Sequence, residues 1–421
     1  MLVEVHIWDQ LVGVLAWNEA TQTVSFEFSK TFIQSGLELS PIMNPLSAKV
    51  VRFKATDDQI YNFQSSDGLP LFIADTLPDA FGTAILRKYL EQEGRNYRDL
   101  NPLEKLTYIG NRGMGALEFK PAVNAIRDQQ QINLGVLNQL AKSLLTDEPV
   151  AHISDLANLF HIGTSPGGAQ PKVLINIDRD SGLVYRGDQL PTESQDSWML
   201  KFNRDTGSEN DRDHGKIEYV YYLLAKNCGI RMMESRLLDH EGESFFMTRR
   251  FDRVNGEKMH TQTAHAMAGL NYRLPNAYSY EQLFYLINRL NLGYGAIEQL
   301  FRIMVFNIIG RNVDDHTKNI GFSMNKKGEW SFSPAYDLTF TYNENYNRET
   351  PHFLSLAGKN LGHKRNDIIT LAKMHSIKKP DSIIDEIAAA FEQWAPLAKE
   401  AGIAEKTINY INGKFNRLKT D

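Results

Sequence analysis

The chemistry readable in this chain concentrates in two short segments, Gly310-Arg-Asn-Val-Asp314-Asp315-His316-Thr-Lys318-Asn319 and Pro334-Ala-Tyr-Asp337. An aspartate, a carboxamide shortly after it and a second carboxylate beyond a turn are groups that phosphoryl transfer requires. Asp314 can orient an acceptor hydroxyl and take its proton. Asn319 and Asp337 offer hard oxygen ligands of the kind Mg²⁺ prefers. Between them, Gly321-Phe322-Ser323, the turn Asn325-Lys-Lys-Gly328 and the run Trp330 to Phe332 read as a hairpin. With the turn centred on Lys326 and Lys327, Asn319 lies opposite Pro334, and Asp337 follows after about 10 Å of extended chain. A lone D-x-x-x-x-N pair more often caps a helix or closes a turn. Asp337 at hairpin spacing, after a helical run, moves the balance toward function.

Two weaker signals precede this constellation in the chain. The loop Gly163-Thr-Ser165-Pro-Gly167-Gly168-Ala-Gln-Pro-Lys172 is neither a Walker loop nor a G-x-G-x-x-G. Its glycines still let backbone N–H groups approach phosphates closely. Lys201 sits in the apolar run Trp198-Met-Leu-Lys-Phe202, like the strand lysine that contacts ATP phosphates in kinases. Glu218, on the next expected helix, is a candidate partner for it. Taken singly, a flexible loop and a solvent-facing strand lysine are the plainer readings. Their order, glycine loop, strand lysine, then D-x-x-x-x-N and Asp337, is what gives them weight.

Positioning these groups calls for a particular set of elements. Val3 to Ile7, Leu11 to Trp17 and Val24 to Phe28 alternate as strands, with a turn at Asn18 to Thr21. Asp75 to Glu91 has helical periodicity, and Ala116 to Phe119 is a short strand after the glycine-rich Gly110 to Gly115. Residues 121–150 form a candidate boundary, with an amphipathic helix over Leu134 to Leu145. Strands are expected at Val173 to Ile177, Trp198 to Phe202, Met232 to Leu238 and Ser244 to Thr248, with a helix over His214 to Asn227. Beyond Arg250 the chain turns helical, over Tyr280 to Leu290, Ala296 to Gly310, Asp367 to His375, Asp381 to Trp394 and Glu405 to Phe415. The division that follows is a β-rich N-terminal subdomain over 1–125, a kinase-like small lobe over 126–249 and a helical large lobe over 250–421. The expected fold class is α+β, a two-lobed protein-kinase-like fold.

Bulk composition narrows the alternatives. The chain has 421 residues, 42% of them hydrophobic, enough for a sizeable core. Its net charge of −5 argues against a protein whose main task is neutralising nucleic-acid phosphates. Cys228 is the only cysteine, which excludes an intrachain disulfide and a Cys-based zinc site. The N-terminus carries neither a basic region nor a long apolar run, so no signal peptide is expected. The most apolar stretch, around Ile303 to Ile309, is too short for a bilayer. A cytoplasmic location is the expectation.

These residues resemble the HipA family of serine/threonine kinase toxins from bacterial toxin–antitoxin pairs. The likeness is carried by Ser165-Pro-Gly-Gly-Ala-Gln-Pro-Lys172, Arg250-Phe-Asp-Arg253, Asp314-Asp-His-Thr-Lys-Asn319 and Pro334-Ala-Tyr-Asp337-Leu, in order over nearly the full length. The resemblance implies Asp314 as catalytic base and Asn319 and Asp337 as holders of Mg²⁺. It implies ATP contacts from Ser165, Gly167, Gly168, Lys172 and Lys201, and an adenine-binding hinge near Phe246, Met247 and Thr248. Ser165 would match the autophosphorylation site, whose modification disorders the phosphate loop and silences the kinase. A phosphoserine there adds nearly two negative charges to a loop meant to cradle phosphates. The resemblance further implies a protein substrate connected with translation and a small helix-turn-helix antitoxin that makes the DNA contacts. Departures are visible too. Pro166 stiffens the loop directly after Ser165, the kinase His-Arg-Asp is absent, and Ala335-Tyr336-Asp337-Leu338 replaces Asp-Phe-Gly. The segment Thr339 to Pro351 is a candidate substrate-facing loop.

Three other readings compete. Asp314-x-His316-x-x-Asn319 also resembles the D-x-H-x-x-N loop of aminoglycoside and choline phosphotransferases, which act on small molecules. A non-catalytic co-repressor bound to a DNA-binding partner is the second. A metal hydrolase is the poorest, because His260, His265 and His316 form no recognised ligand spacing.

Overall fold

The structure, a computed structural model, describes residues 1–54, 65–123, 131–146, 153–163, 168, 170–203, 213–342 and 349–418. The chain forms two compact units, and it crosses between them repeatedly. One comprises residues 1–205, 238–262 and 323–329; the other comprises 206–237, 263–322 and 330–421.

The first unit holds two five-stranded sheets. In the N-terminal one the order is Val51–Lys54, Thr23–Phe28, Gln10–Asn18, Leu2–Ile7 and Leu117–Lys120, antiparallel throughout. The expected alternation is there: Val3, Val5 and Ile7 are fully buried while Leu2 and Glu4 are exposed. Gly13 permits the close approach of the next strand, since a Cβ there would stand 2.3 Å from the Glu27 carbonyl oxygen. The second sheet has the order Ser235–His240, Glu243–Arg249, Gln195–Lys201, Lys172–Asp178 and Val184–Arg186. Helices Ala80–Gln92, Leu134–Thr146 and Ile153–Gly163 contribute to a core with Val173, Ile175, Ile177, Trp198, Leu200, Phe245 and Met247 of this sheet.

The expected helix over Asp75 to Glu91 begins only at Ala80 and runs to Gln92, after a break from the short helix Leu71–Ala74 that precedes the expected span. Pro78 explains the break, because it biases Leu77 away from helical backbone and offers no N–H. Pro102–Ile109 was not anticipated, although its start is legible. Asn101 and Glu104 form a reciprocal capping box with proline at the first turn. The Met232 to Leu238 strand begins only at Ser235.

The second unit is mainly helical, with helices His214–Asn227, Tyr280–Arg289, Tyr294–Gly310, Arg365–Met374, Pro380–Glu392, Trp394–Glu400 and Glu405–Lys414. Tyr221, Phe306, Phe391, Trp394 and Phe415 pack edge to face or tilted, with ring centroids between 4.7 and 5.9 Å apart. Gly310 lies beneath this cluster, and a Cβ on it would meet Phe391 Cζ at 2.4 Å. The longest helix thus delivers the chain, through a wedge that only glycine fits, into the segment carrying Asp314.

Candidate active site

Helix Tyr294–Gly310 ends where Arg311 adopts left-handed backbone (φ 54°) and its N–H returns to the Asn307 carbonyl. The loop that follows is wired by side chains. Asn312 is buried, and its Nδ2 donates to Asn307 Oδ1 at 2.9 Å and to the Asp337 carbonyl at 3.2 Å. Thr341 Oγ1 accepts the N–H groups of Val313 and Asp314 at 2.7 and 3.1 Å. One hydroxyl therefore fixes the backbone on which Asp314 stands. Asn319 Nδ2 donates to the Asp314 carbonyl at 2.9 Å, which leaves Oδ1 as the remaining oxygen of that amide.

The adjacent aspartates have opposite surroundings. Asp314 is exposed, with 53% of its side chain accessible. Asp315 is buried and accepts from Tyr280 Oη at 2.6 Å, His352 Nδ1 at 2.9 Å, and the N–H groups of Phe353 and Leu354 at 2.8 and 3.4 Å. Its oxygens are committed to holding the 350s segment, so only Asp314 is placed to meet a substrate. Burial, then the Asp315 charge, pushes the Tyr280 hydroxyl well above its ordinary range, which keeps it a donor. Asp315 and Thr341 escaped the sequence reading, since nothing in their local spacing marks them.

Asp337 is half-buried with φ 54°, a left-handed backbone that aspartate tolerates better than most residues. The hairpin before it has its turn at Asn325–Gly328 and joins the Ser333 N–H to the Gly321 carbonyl. That register is displaced by one residue from the expected pairing of Asn319 with Pro334. Tyr336 Oη donates to the Lys318 carbonyl at 2.8 Å, so the immediate neighbours of Asp337 and Asn319 are bonded to each other. A Cβ on Gly321 would press on Tyr336 Oη at 3.0 Å, so glycine keeps this closure open. The Asp337 carboxylate and the Asn319 carboxamide are hard-oxygen donors of the kind Mg²⁺ takes. Among the described residues, no group of three or more His, Cys, Asp and Glu side chains is arranged to hold a metal ion.

The lysines belong to the other unit. Lys172, Lys201 and Phe246 are directly opposite one another on three neighbouring strands, hence on one face of the sheet. Both lysines are buried, at 3% and 4% exposure, and Lys201 Nζ lies 5.7 Å from the Phe246 ring centroid. Two ammonium groups on facing positions concentrate positive charge on that face. Thr248, two residues on, shares the face. Met247 points the other way, into the helical core. All three expected hinge residues lie inside the Glu243–Arg249 strand, which has neighbours on both sides. Gly168 has φ 96°, and its N–H donates to Asp79 Oδ2 at 2.8 Å. Ser165 and Gly167 lie outside the described residues, as do residues 343–348 of the Thr339 to Pro351 segment expected to face substrate.

Arg250-Phe-Asp-Arg253 proves to be a buried clamp. Asp252 is inaccessible and receives Arg250 Nε and Nη2 at 2.9 and 2.8 Å, Arg253 Nη1 at 2.7 Å and the Gly115 N–H at 2.8 Å. Burial opposes its ionisation, but the two guanidiniums and these hydrogen bonds hold its carboxyl well below the usual range. Arg253 also donates to the carbonyls of Gly113 and Gly115. The glycine-rich Gly110 to Gly115 segment is thereby tied to the residues that follow the strand facing Lys201.

A mixed α+β, kinase-like fold with this loop defines the class of the protein. Residues 164–395 match the HipA-like C-terminal domain and residues 3–120 match the HipA N-terminal domain. The chain belongs to the HipA family. It is 22% identical over 371 residues to the serine/threonine-protein kinase toxin HipA of Shewanella oneidensis, covering 80% of this chain and 75% of that protein. A solved complex of Shewanella oneidensis HipA, HipB and operator DNA contains a similar chain, with a TM-score of 0.68 at 17% identity. The match covers 98% of this chain and 94% of that one. Among the described residues, no helix is long and apolar enough to cross a membrane.

Proposed function

We propose that this chain is an ATP-dependent serine/threonine protein kinase, the toxin of a toxin–antitoxin pair. The observation that carries the reading is the wiring of one loop: an exposed Asp314, its backbone fixed by Thr341, its carbonyl bound by Asn319. Family membership and the kinase name of the Shewanella relative support it.

In this reading Asp314 accepts a hydrogen bond from a protein Ser or Thr hydroxyl and aims its oxygen in line at the γ-phosphorus, taking the proton as the new O–P bond forms, the bond from the γ-phosphorus to the bridging oxygen breaks and ADP leaves. Asn319 Oδ1 and the Asp337 carboxylate would hold Mg²⁺, which neutralises charge on the β- and γ-phosphates. Lys201 and Lys172, with the Gly167–Gly168 loop, hold the phosphates from the small-lobe sheet. Adenine meets the chain near Phe246 to Thr248, within strand Glu243–Arg249. Ser165 is the self-modified residue. The working division is an N-terminal subdomain over 1–125, a small lobe over 126–249 and a large lobe over 250–421. The substrate is a cytoplasmic protein connected with translation. The partner is a small helix-turn-helix antitoxin, as the HipB–DNA complex of the relative suggests.

The test is transfer of labelled γ-phosphate from Mg²⁺–ATP by wild type, Asp314→Ala and Asp337→Ala, with bacterial lysate and with a panel of small hydroxyl metabolites. Labelled protein from wild type alone supports the proposal. Label on metabolites instead points to the small-molecule kinase, and no ATP binding sinks both in favour of a co-repressor scaffold.

A further inference from the structure

Asp79 occupies the N-cap position of helix Ala80–Gln92, where an aspartate ordinarily accepts N–H groups of its own first turn. Its side chain makes no such bond. The helix starts instead from the Asp79 carbonyl, which receives the Thr83 N–H at 2.8 Å. Asp79 Oδ2 receives the N–H of Gly168, 89 positions along the chain, at 2.8 Å.

The same helix, with its cap residue, meets the glycine loop at two points. At the start of the loop, a Cβ on Gly163 would stand 2.7 Å from Ile85 Cδ1 and 3.6 Å from the Lys172 carbonyl oxygen. Near its end, Gly168 has left-handed backbone, and a Cβ on it would stand 2.6 Å from Lys172 Nζ. No other residue type fits at Gly168 without displacing that ammonium. The Asp79 carboxylate and the Lys172 ammonium therefore bracket one residue.

We infer that Asp79 is a positioning residue: its carboxylate anchors the Gly168 amide and so fixes the backbone at that glycine from the N-terminal segment. The inference deepens the phosphate-loop reading of Proposed function and rests on it for its consequence in catalysis. The anchor itself does not depend on nucleotide. Its proposed role runs through the Gly168 amide. A carboxylate accepting a backbone N–H forms a charge-assisted bond, stronger than a neutral one. Its loss frees the loop's backbone while leaving the start of the helix, made by backbone, intact.

The experiment is hydrogen–deuterium exchange on the full chain without nucleotide, comparing wild type, Asp79→Ala and Asp79→Asn, followed by ATP kinetics on the same proteins. Asp79→Ala should exchange the peptide 163–172 at least ~10-fold faster, the loss of one charge-assisted bond. Peptides of Ala80–Gln92 should keep wild-type rates. Asp79→Asn, whose amide oxygen still accepts, should recover most of the protection. In kinetics Asp79→Ala should raise KM for ATP ~5-fold or more at near-constant kcat, again with recovery in Asp79→Asn. Unchanged loop exchange in Asp79→Ala overturns the anchor, as does equal acceleration in loop and helix, or failure of Asp79→Asn to recover protection. If wild type binds no ATP, the kinase reading falls, and the exchange result still decides the anchor.

Discussion

Neighbouring aspartates should answer to opposite assays. Asp314→Ala removes an exposed carboxylate whose contact with His316 is a loose 3.9 Å. Surface changes of this kind usually alter stability by no more than about 0.5 kcal/mol. Loss of a positioned general base lowers turnover by roughly 10²–10⁴-fold. Asp315→Ala does the reverse. It strips the acceptor from Tyr280, His352 and two backbone N–H groups in a site that is 3% exposed. Breaking such a buried charged network costs about 3–5 kcal/mol. For a unit of this size that is a fall in Tm of ~10 °C or more. Thermal unfolding followed by circular dichroism, alongside labelled γ-phosphate transfer at a temperature where both variants remain folded, separates the two effects. The reasoning is refuted if Asp314→Ala retains wild-type transfer, or if Asp315→Ala unfolds at the wild-type temperature.

Three further outcomes follow from the same geometry. Thr341→Val removes the hydroxyl that receives the N–H groups of Val313 and Asp314; kcat should fall ~10-fold with KM for ATP near wild type, and Thr341→Ser should recover it. Gly310→Ala drives a methyl into Phe391 and should destabilise by about 1–3 kcal/mol in urea titration; a neutral result would show that the aromatic cluster yields. Stability should also drop in mild acid. Burial, reinforced by Arg112 and Arg186, pushes His161 down to about 3, and burial pushes His260 down to about 4. Below the ordinary histidine range the unfolded chain binds protons that the folded chain refuses, so stability falls as pH falls from 6.5 toward those values. Between pH 6.5 and 5 each contributes about 2 kcal/mol of loss. A flat denaturation midpoint across that window would contradict both burials, and His161→Gln should flatten the profile in part.

The sequence alone determined what depends on short range. Strand alternation in Val3, Val5 and Ile7 and the periodicity of Tyr294–Gly310 were legible because burial repeats with local backbone geometry. So was the candidate set Asp314, Asn319 and Asp337, because the residue types and the hairpin between them lie within one continuous stretch. The Pro102–Ile109 helix is just as local, its start marked by the Asn101–Glu104 capping box. Tertiary structure decided the rest. Asp314 and Asp315 have the same side chain at consecutive positions, and only contacts from Tyr280 and His352 make one structural and leave the other open to solvent. Phe246 and Met247 are both apolar, and only the strand register sends one toward Lys201 and the other into the helical core. Gly115 and Arg253 close around Asp252 from distant parts of the chain, and the Asp79 carboxylate bonds Gly168 rather than its own helix. Each of these assignments turns on partners distant in sequence, whose approach no local spacing records and whose low-dielectric surroundings set what each charge can do.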